Sequence, residues 1–110
     1  MASALNVFKT VTASLTTSSS TLYTAPSGYT TVVLMAQVSN VTANTANVTF
    51  SHYAGSTTTE LLKDFSVPGN DAVSATTGKL VLETGSSIKV SSNINSALKV
   101  TLSILETLNG

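Results

Sequence analysis

Leu98-Lys99-Val100-Thr101-Leu102-Ser103-Ile104 puts an apolar side chain on every second residue and a polar one between each pair. Successive side chains of a strand point to opposite faces, so this stretch reads as a β-strand with one face in a core and one in water. Val32, Leu34, Ala36 and Val38 repeat the pattern, opposed by Thr31, Val33, Met35 and Gln37. Val48, Phe50 and His52 repeat it again, with Asn47, Thr49, Ser51 and Tyr53 facing away. Shorter alternations lie at Leu80/Leu82 and Ile88/Val90. Abundant Thr and Val support strands throughout, because β-branched side chains fit a pleated surface.

Turn residues separate these runs. They are Pro26-Ser27-Gly28, the stretch from Asn40 to Asn47, Ala54-Gly55-Ser56, Pro68-Gly69-Asn70-Asp71, Thr76-Thr77-Gly78, Thr84-Gly85-Ser86 and Asn93-Ile94-Asn95. Their spacing, about ten residues, is that of a sandwich or small barrel. The expected fold is all-β: an antiparallel, jelly-roll-like β-sandwich of eight or nine short strands. The strands fall near 6–15, 20–25, 29–39, 46–54, 58–67, 71–75, 79–83, 87–92 and 97–108. Leu61-Leu62-Lys63-Asp64-Phe65 is read as strand, being too short and too flanked by Thr for a helix. A chain of 110 residues is expected to form a single domain, 1–110. Ala25-Pro26-Ser27-Gly28 and Val67-Pro68-Gly69 echo each other weakly, and Ser14 to Thr21 is a low-complexity connector.

Charge is scarce. Asp, Glu, Lys and Arg make up 9% of the chain, against about a quarter in an ordinary soluble domain. All five basic residues are lysines, balanced by five acids, and Ser and Thr fill about a third of the positions. Hydroxyls keep a surface wet without the desolvation cost that a charge incurs when another protein covers it. Zero net charge removes the attraction that nucleic acid or an anionic membrane requires, and it weakens the repulsion between copies. With no cysteine there is no disulfide framework and no thiolate metal site. The start Met1-Ala2-Ser3-Ala4-Leu5-Asn6-Val7 has no basic and apolar leader pattern, and the longest apolar run, Val32 to Ala36, is far short of a membrane span.

Few residues offer chemistry. His52, the single histidine, is expected at the edge of the core or in an interface, since zinc needs three or four ligands and neither Glu60 nor Asp64 is spaced to join it. Serines are too common to mark a nucleophile, and the Gly-x-Ser-x-Gly elbow is missing. Five dispersed acids do not describe a glycosidase pair. Pro68-Gly69-Asn70-Asp71 has oxygen ligands suited to calcium but reads as a tight turn. Gly78-Lys79 lacks the remainder of a phosphate loop. Lys79, Lys89 and Lys99 read as solvated edge lysines, and Tyr23, Tyr29 and Tyr53 as a conceivable sugar-binding platform. No cofactor and no enzymatic activity are expected.

Two segments extend the reading. One is Thr21-Leu22-Tyr23-Thr24-Ala25-Pro26-Ser27-Gly28-Tyr29-Thr30-Thr31-Val32-Val33-Leu34, followed by an Asn/Thr/Ala-rich turn. The other is Gly78-Lys79-Leu80-Val81-Leu82-Glu83-Thr84-Gly85-Ser86-Ser87-Ile88-Lys89-Val90. Together, over roughly residues 20–105, they resemble small all-β virion structural proteins of tailed bacteriophages, especially phages of marine cyanobacteria. Ser86 stands where that group often carries an acid. The resemblance implies a non-enzymatic assembly role on the virion after synthesis in the host cytoplasm. A capsid decoration or cement protein on the major capsid shell leads; a neck, tail or fibre component with a receptor- or carbohydrate-binding role is the alternative. It implies a homo-oligomer, with a trimer favoured, and other virion proteins as partners, while the zero net charge argues against nucleic acid and membrane. At marine ionic strength the Debye length falls below ~8 Å, so contacts built from apolar and hydroxyl groups outlast surface ion pairs. Phe8, Val11, Leu15, Leu105 and Leu108 exceed what alternation needs and are the expected interface residues, with the Asn40–Asn47 turn, the hydroxyl-rich faces and the termini as further candidates.

Overall fold

The computed structural model describes residues 6–76 and 78–109. The expectations for the chain start and for Thr77 lie outside these residues. Among the described residues nine strands follow one another: β1 (Asn6–Ser14), β2 (Ser20–Thr24), β3 (Tyr29–Asn40), β4 (Ala46–Ala54), β5 (Thr57–Val67), β6 (Ala72–Ser74), β7 (Leu80–Leu82), β8 (Ser87–Ser92) and β9 (Leu98–Leu108). They form two antiparallel sheets. The first runs β1-β9-β3, with β6 and β7 both pairing the far side of β3; the second runs β2-β8-β4-β5. Counting β6 and β7 as one interrupted strand gives two four-stranded sheets whose order follows the double Greek key of a jelly roll. Leu61–Phe65 lies in β5, as its shortness and flanking Thr residues implied.

The core is the inward alternation of the strands, packed between the sheets. Leu98, Val100, Leu102 and Ile104 of β9 are buried, as are Ala46, Val48 and Phe50 of β4, Ile88 and Val90 of β8, and Leu82 of β7. Apolar surface removed from water is the main favourable term in holding the two sheets together.

In β3 the faces differ from the alternation expected. Thr31 and Val33 are buried, and so are Ala36, Val38 and Asn40. The ladder with β9 explains the change: Val33 pairs Ile104 and Met35 pairs Ser103, leaving Leu34 as one extra residue. A β-bulge shifts the period-two parity, so odd residues point inward before it and even residues after it. Val32 is therefore on the outer face. β5 carries two more extra residues where its pairing with β4 passes from Val48/Phe65 to Phe50/Leu62 and on to Ser51/Glu60, and Asp64 there adopts φ +48.

Two turns join the segments that are separated in the chain. Tyr29 N–H donates to Pro26 O and Ser86 N–H to Glu83 O, and in each turn a glycine takes positive φ, Gly28 at +82 and Gly85 at +86. Ala25 N–H donates to Ser86 O and Gly85 N–H to Ala25 O, so the two turns lie side by side. The echo at Val67-Pro68-Gly69 is a different corner, with positive φ at Asn70 instead.

At the opposite corner Asn40 is buried with all four hydrogen-bonding positions in use. Its Nδ2 donates to Asn44 O at 2.7 Å and Val67 O at 3.0 Å, and its Oδ1 accepts from Thr42 N–H at 2.9 Å and Thr42 Oγ1 at 2.7 Å. Gly69 packs against the Ala43–Asn44 backbone, where a Cβ would overlap the Ala43 carbonyl. Asn40→Asp replaces two donors with a charged acceptor facing two carbonyls and is expected to destabilise the fold by about 3 kcal/mol. Gly69→Ala is expected to cost about 2 kcal/mol by overpacking. Urea unfolding measures both.

Candidate functional site

The outer face of the first sheet carries one continuous apolar row. Phe8 of β1 pairs Leu105 of β9, Leu105 pairs Val32 of β3, and Val32 pairs Val81 of β7. Residues directly opposite in a ladder project from the same face, so these four side chains cross the whole sheet. Phe8 is 73% exposed and Val81 55%. The flanking positions on the face are Asn6, Thr107 and Thr30 on one side and Thr10, Ser103 and Met35 on the other. Thr12, Thr101, Gln37 and Ser74 follow, then Ser14, Lys99, Ser39 and Ala72, so Lys99 is the one charge among these paired positions. The outer face of the second sheet contrasts with it. Thr21, Thr24, Thr49, Ser51, Ser87 and Ser91 line it, Thr24 and Ser87 share a 2.9 Å hydrogen bond, and Lys89 Nζ sits 4.1 Å above the Tyr53 ring.

One charge enters the core. Glu106 continues the inward alternation of β9 and is 4% exposed. It accepts from Tyr23 Oη at 2.5 Å, and Lys9 Nζ lies 3.0 Å away. The only phenolic proton of Tyr23 goes to Glu106, so Thr31 Oγ1, at 2.8 Å, donates to the phenol oxygen. The Tyr23 hydrogen bond, aided by Lys9, holds the Glu106 carboxyl below its usual range despite burial. Burial first, and the neighbouring carboxylate second, push Tyr23 up to about 12. These groups tie β1, β2, β3 and β9 together.

The expected interface residues separate. Phe8 and Leu105 belong to the outer row, and Leu108, 36% exposed, ends β9. Val11 is half-buried against the core. Leu15 is a correction: it is 1% exposed and fills the core, because the chain leaves β1 after Ser14 and its N–H turns to Leu98 O. Val32 and Val81 complete the row and were missed. The signal for Val81 was the unbroken apolar run Leu80-Val81-Leu82; for Val32 the bulge hid its face.

The other candidates are dispersed. His52 is half-buried in β4 between Thr59 and Ile88, neither of them an acid. Tyr23 bonds inward across the sandwich, Tyr53 lies on the outer face of the second sheet, and Tyr29 opens β3 in the first, so the three form no platform. Lys89 and Lys99 lie on different sheets and Lys79 precedes β7. Asp71 Oδ1 accepts from Ala72 N–H within the Pro68–Asp71 turn. Among the described residues no three His, Asp or Glu gather in a group that could hold a metal. An open groove of about 230 Å³ between β5 and the β6–β7 edge is lined by Leu62, Ala75 and Leu80 with Lys79. The chain matches no protein-family model, and no curated protein or solved structure is detectably similar to it.

The buried cluster makes stability depend on pH at both ends. Glu106 has a lowered folded pKa, so its contribution is complete above the unfolded carboxylate value and is lost as pH falls through the folded one. Tyr23 has a raised pKa, so its contribution is complete below the ordinary tyrosine value of 10.0 and is lost as pH rises towards about 12. Thermal unfolding across pH is expected to show a plateau between these limbs. Glu106→Gln flattens the acid limb and Tyr23→Phe the alkaline one; unchanged limbs would contradict the cluster's role.

Proposed function

We propose that the chain is a non-enzymatic structural protein of a tailed-phage virion, a decoration protein that binds the major capsid shell and stabilises it. The observation that carries the reading is the apolar row Phe8, Leu105, Val32 and Val81 on a nearly charge-free face. An exposed row of this kind fits a partner surface that is itself apolar and neutral, because neither side then has a charge to desolvate. The motifs around Pro26-Ser27-Gly28 and Thr84-Gly85-Ser86 support the virion setting through their resemblance to phage proteins, and their side-by-side placement makes them one corner of the fold. Contacts of this composition suit a salty medium, where exposed ion pairs are screened.

Tyr23, Tyr29 and Tyr53 share no surface and His52 pairs no acid, so these residues add no support to the receptor-binding or hydrolytic readings. Position on the particle is decided by cryo-EM of the virion. Copies spread over the shell are expected; a few copies confined to the neck or tail would replace the decoration role, and no copies would end the virion reading. Particle-bound protein is expected to stay level between about 0.1 M and about 1 M salt. Val81→Lys, which puts an ammonium into the row, is expected to weaken binding by at least about tenfold.

A further inference from the structure

The four edges of the sandwich are not alike. An edge strand presents unpaired N–H and C=O groups, and proteins blunt such edges with bulges, charges or interruptions. β5 has two bulges, a positive-φ Asp64, and Glu60, Lys63 and Asp64. β6 and β7 are three residues each, broken between Ser74 and Leu80. β2 is five residues with a register shift between Thr21 and Tyr23. β1 has neither bulge nor interruption, and one charge. It runs nine residues without proline, glycine or bulge, pairs β9 in unbroken register, and among the described residues pairs on that side alone. Its single charge, Lys9, is drawn to Glu106.

We propose that β1 is the assembly edge and that it pairs antiparallel with β1 of a second copy across a two-fold axis, joining the first sheets of two sandwiches into one. A strand that meets its own copy antiparallel needs no other partner for complementarity. Full overlap of Asn6–Ser14 places Thr10 on the axis, Phe8 opposite Thr12 of the second copy, and Lys9 opposite Val11 of the second copy, so no like charges face each other. Phe8, at 73% the most exposed large apolar side chain among the described residues, gains cover from the facing strand. β2, the edge of the second sheet, reads Ser20-Thr21-Leu22-Tyr23-Thr24 and carries no charge to repel its copy. The pairing makes the two Phe8 rows parts of one wider face. It replaces the three-fold assembly that the resemblance implied with a two-fold one. It deepens the assembly reading, yet its test needs only purified chain, so it fails or stands separately from particle binding.

The test is mass in solution at micromolar concentration by light scattering, with circular dichroism to confirm the fold. The unaltered chain is expected as a dimer. Thr10→Lys and Thr10→Glu each put like charges face to face and are expected to be monomers, whereas an equimolar mixture of the two restores the dimer. Val81→Lys, on the outer face away from the edge, remains dimeric. In hydrogen exchange, the β1 amides that face away from β9 are protected in the dimer and released in either Thr10 variant. A monomeric or trimeric unaltered chain, a dimer of Thr10→Lys alone, a mixture that fails to pair, or dissociation by Val81→Lys overturns the proposal. If one Thr10 variant fails to fold, the other variant and the exchange pattern of the unaltered chain decide.

Discussion

The extra residue that β3 carries at Leu34 sets which side chains the rest of the structure receives. Before it, Thr31 and Val33 point into the core; after it, Ala36, Val38 and Asn40 do. The same shift turns Val32 outward to join Leu105 and Val81, and so completes the exposed row. It also divides the neighbouring edge. β7 pairs the residues before the bulge, Thr31 to Val33, and β6 those after it, Gln37 to Ser39, while Ala75 N–H bonds to Ala36 O at the break. The interruption between β6 and β7 thus lies level with the bulge, while β9 on the other side of β3 runs past it unbroken. The edge of the first sheet is thereby blunted on the β6–β7 side and left long and regular on the β1 side.

Scarcity of charge takes a specific form in this fold. Glu106, the one buried carboxylate, is bound by a phenol and an ammonium, so its desolvation is offset where it occurs. Elsewhere hydroxyls do the work of charges. They bond across strands, as Thr24 and Ser87 do, and they close loops, as Thr42 does on Asn40. Each can later be covered by a neighbour at lower cost than an ion. The two outer faces thus differ, one crossed by an apolar row and the other lined by hydroxyls.

Legibility varied with how far each strand kept one parity. β9 was readable from Leu98 to Ile104 because every outward residue from Lys99 to Ser103 is polar. β3 was not, since Val32-Val33-Leu34-Met35 is apolar on both faces and period two has nothing in it to locate a bulge. Leu15 and Phe8 looked equivalent as surplus apolar residues near one strand. They are opposite in fact, because the chain turns inward at Leu15 while Phe8 keeps the outward parity of β1. Glu106 was readable in principle as the next inward step after Ile104, but its partners Lys9 and Tyr23 are remote in the chain.

The sequence by itself determined the all-β sandwich and the position of nearly every strand, because alternation and turn chemistry are local: each depends on a residue and its immediate neighbours. Only the tertiary structure decided which strands pair, where β3 bulges, that the turns at Pro26 and Thr84 share a corner, and that Phe8, Leu105, Val32 and Val81 form one row. These are relations between residues far apart in the chain, set by the register of hydrogen-bonded ladders, and one residue of shift in a ladder exchanges a core side chain for a surface one.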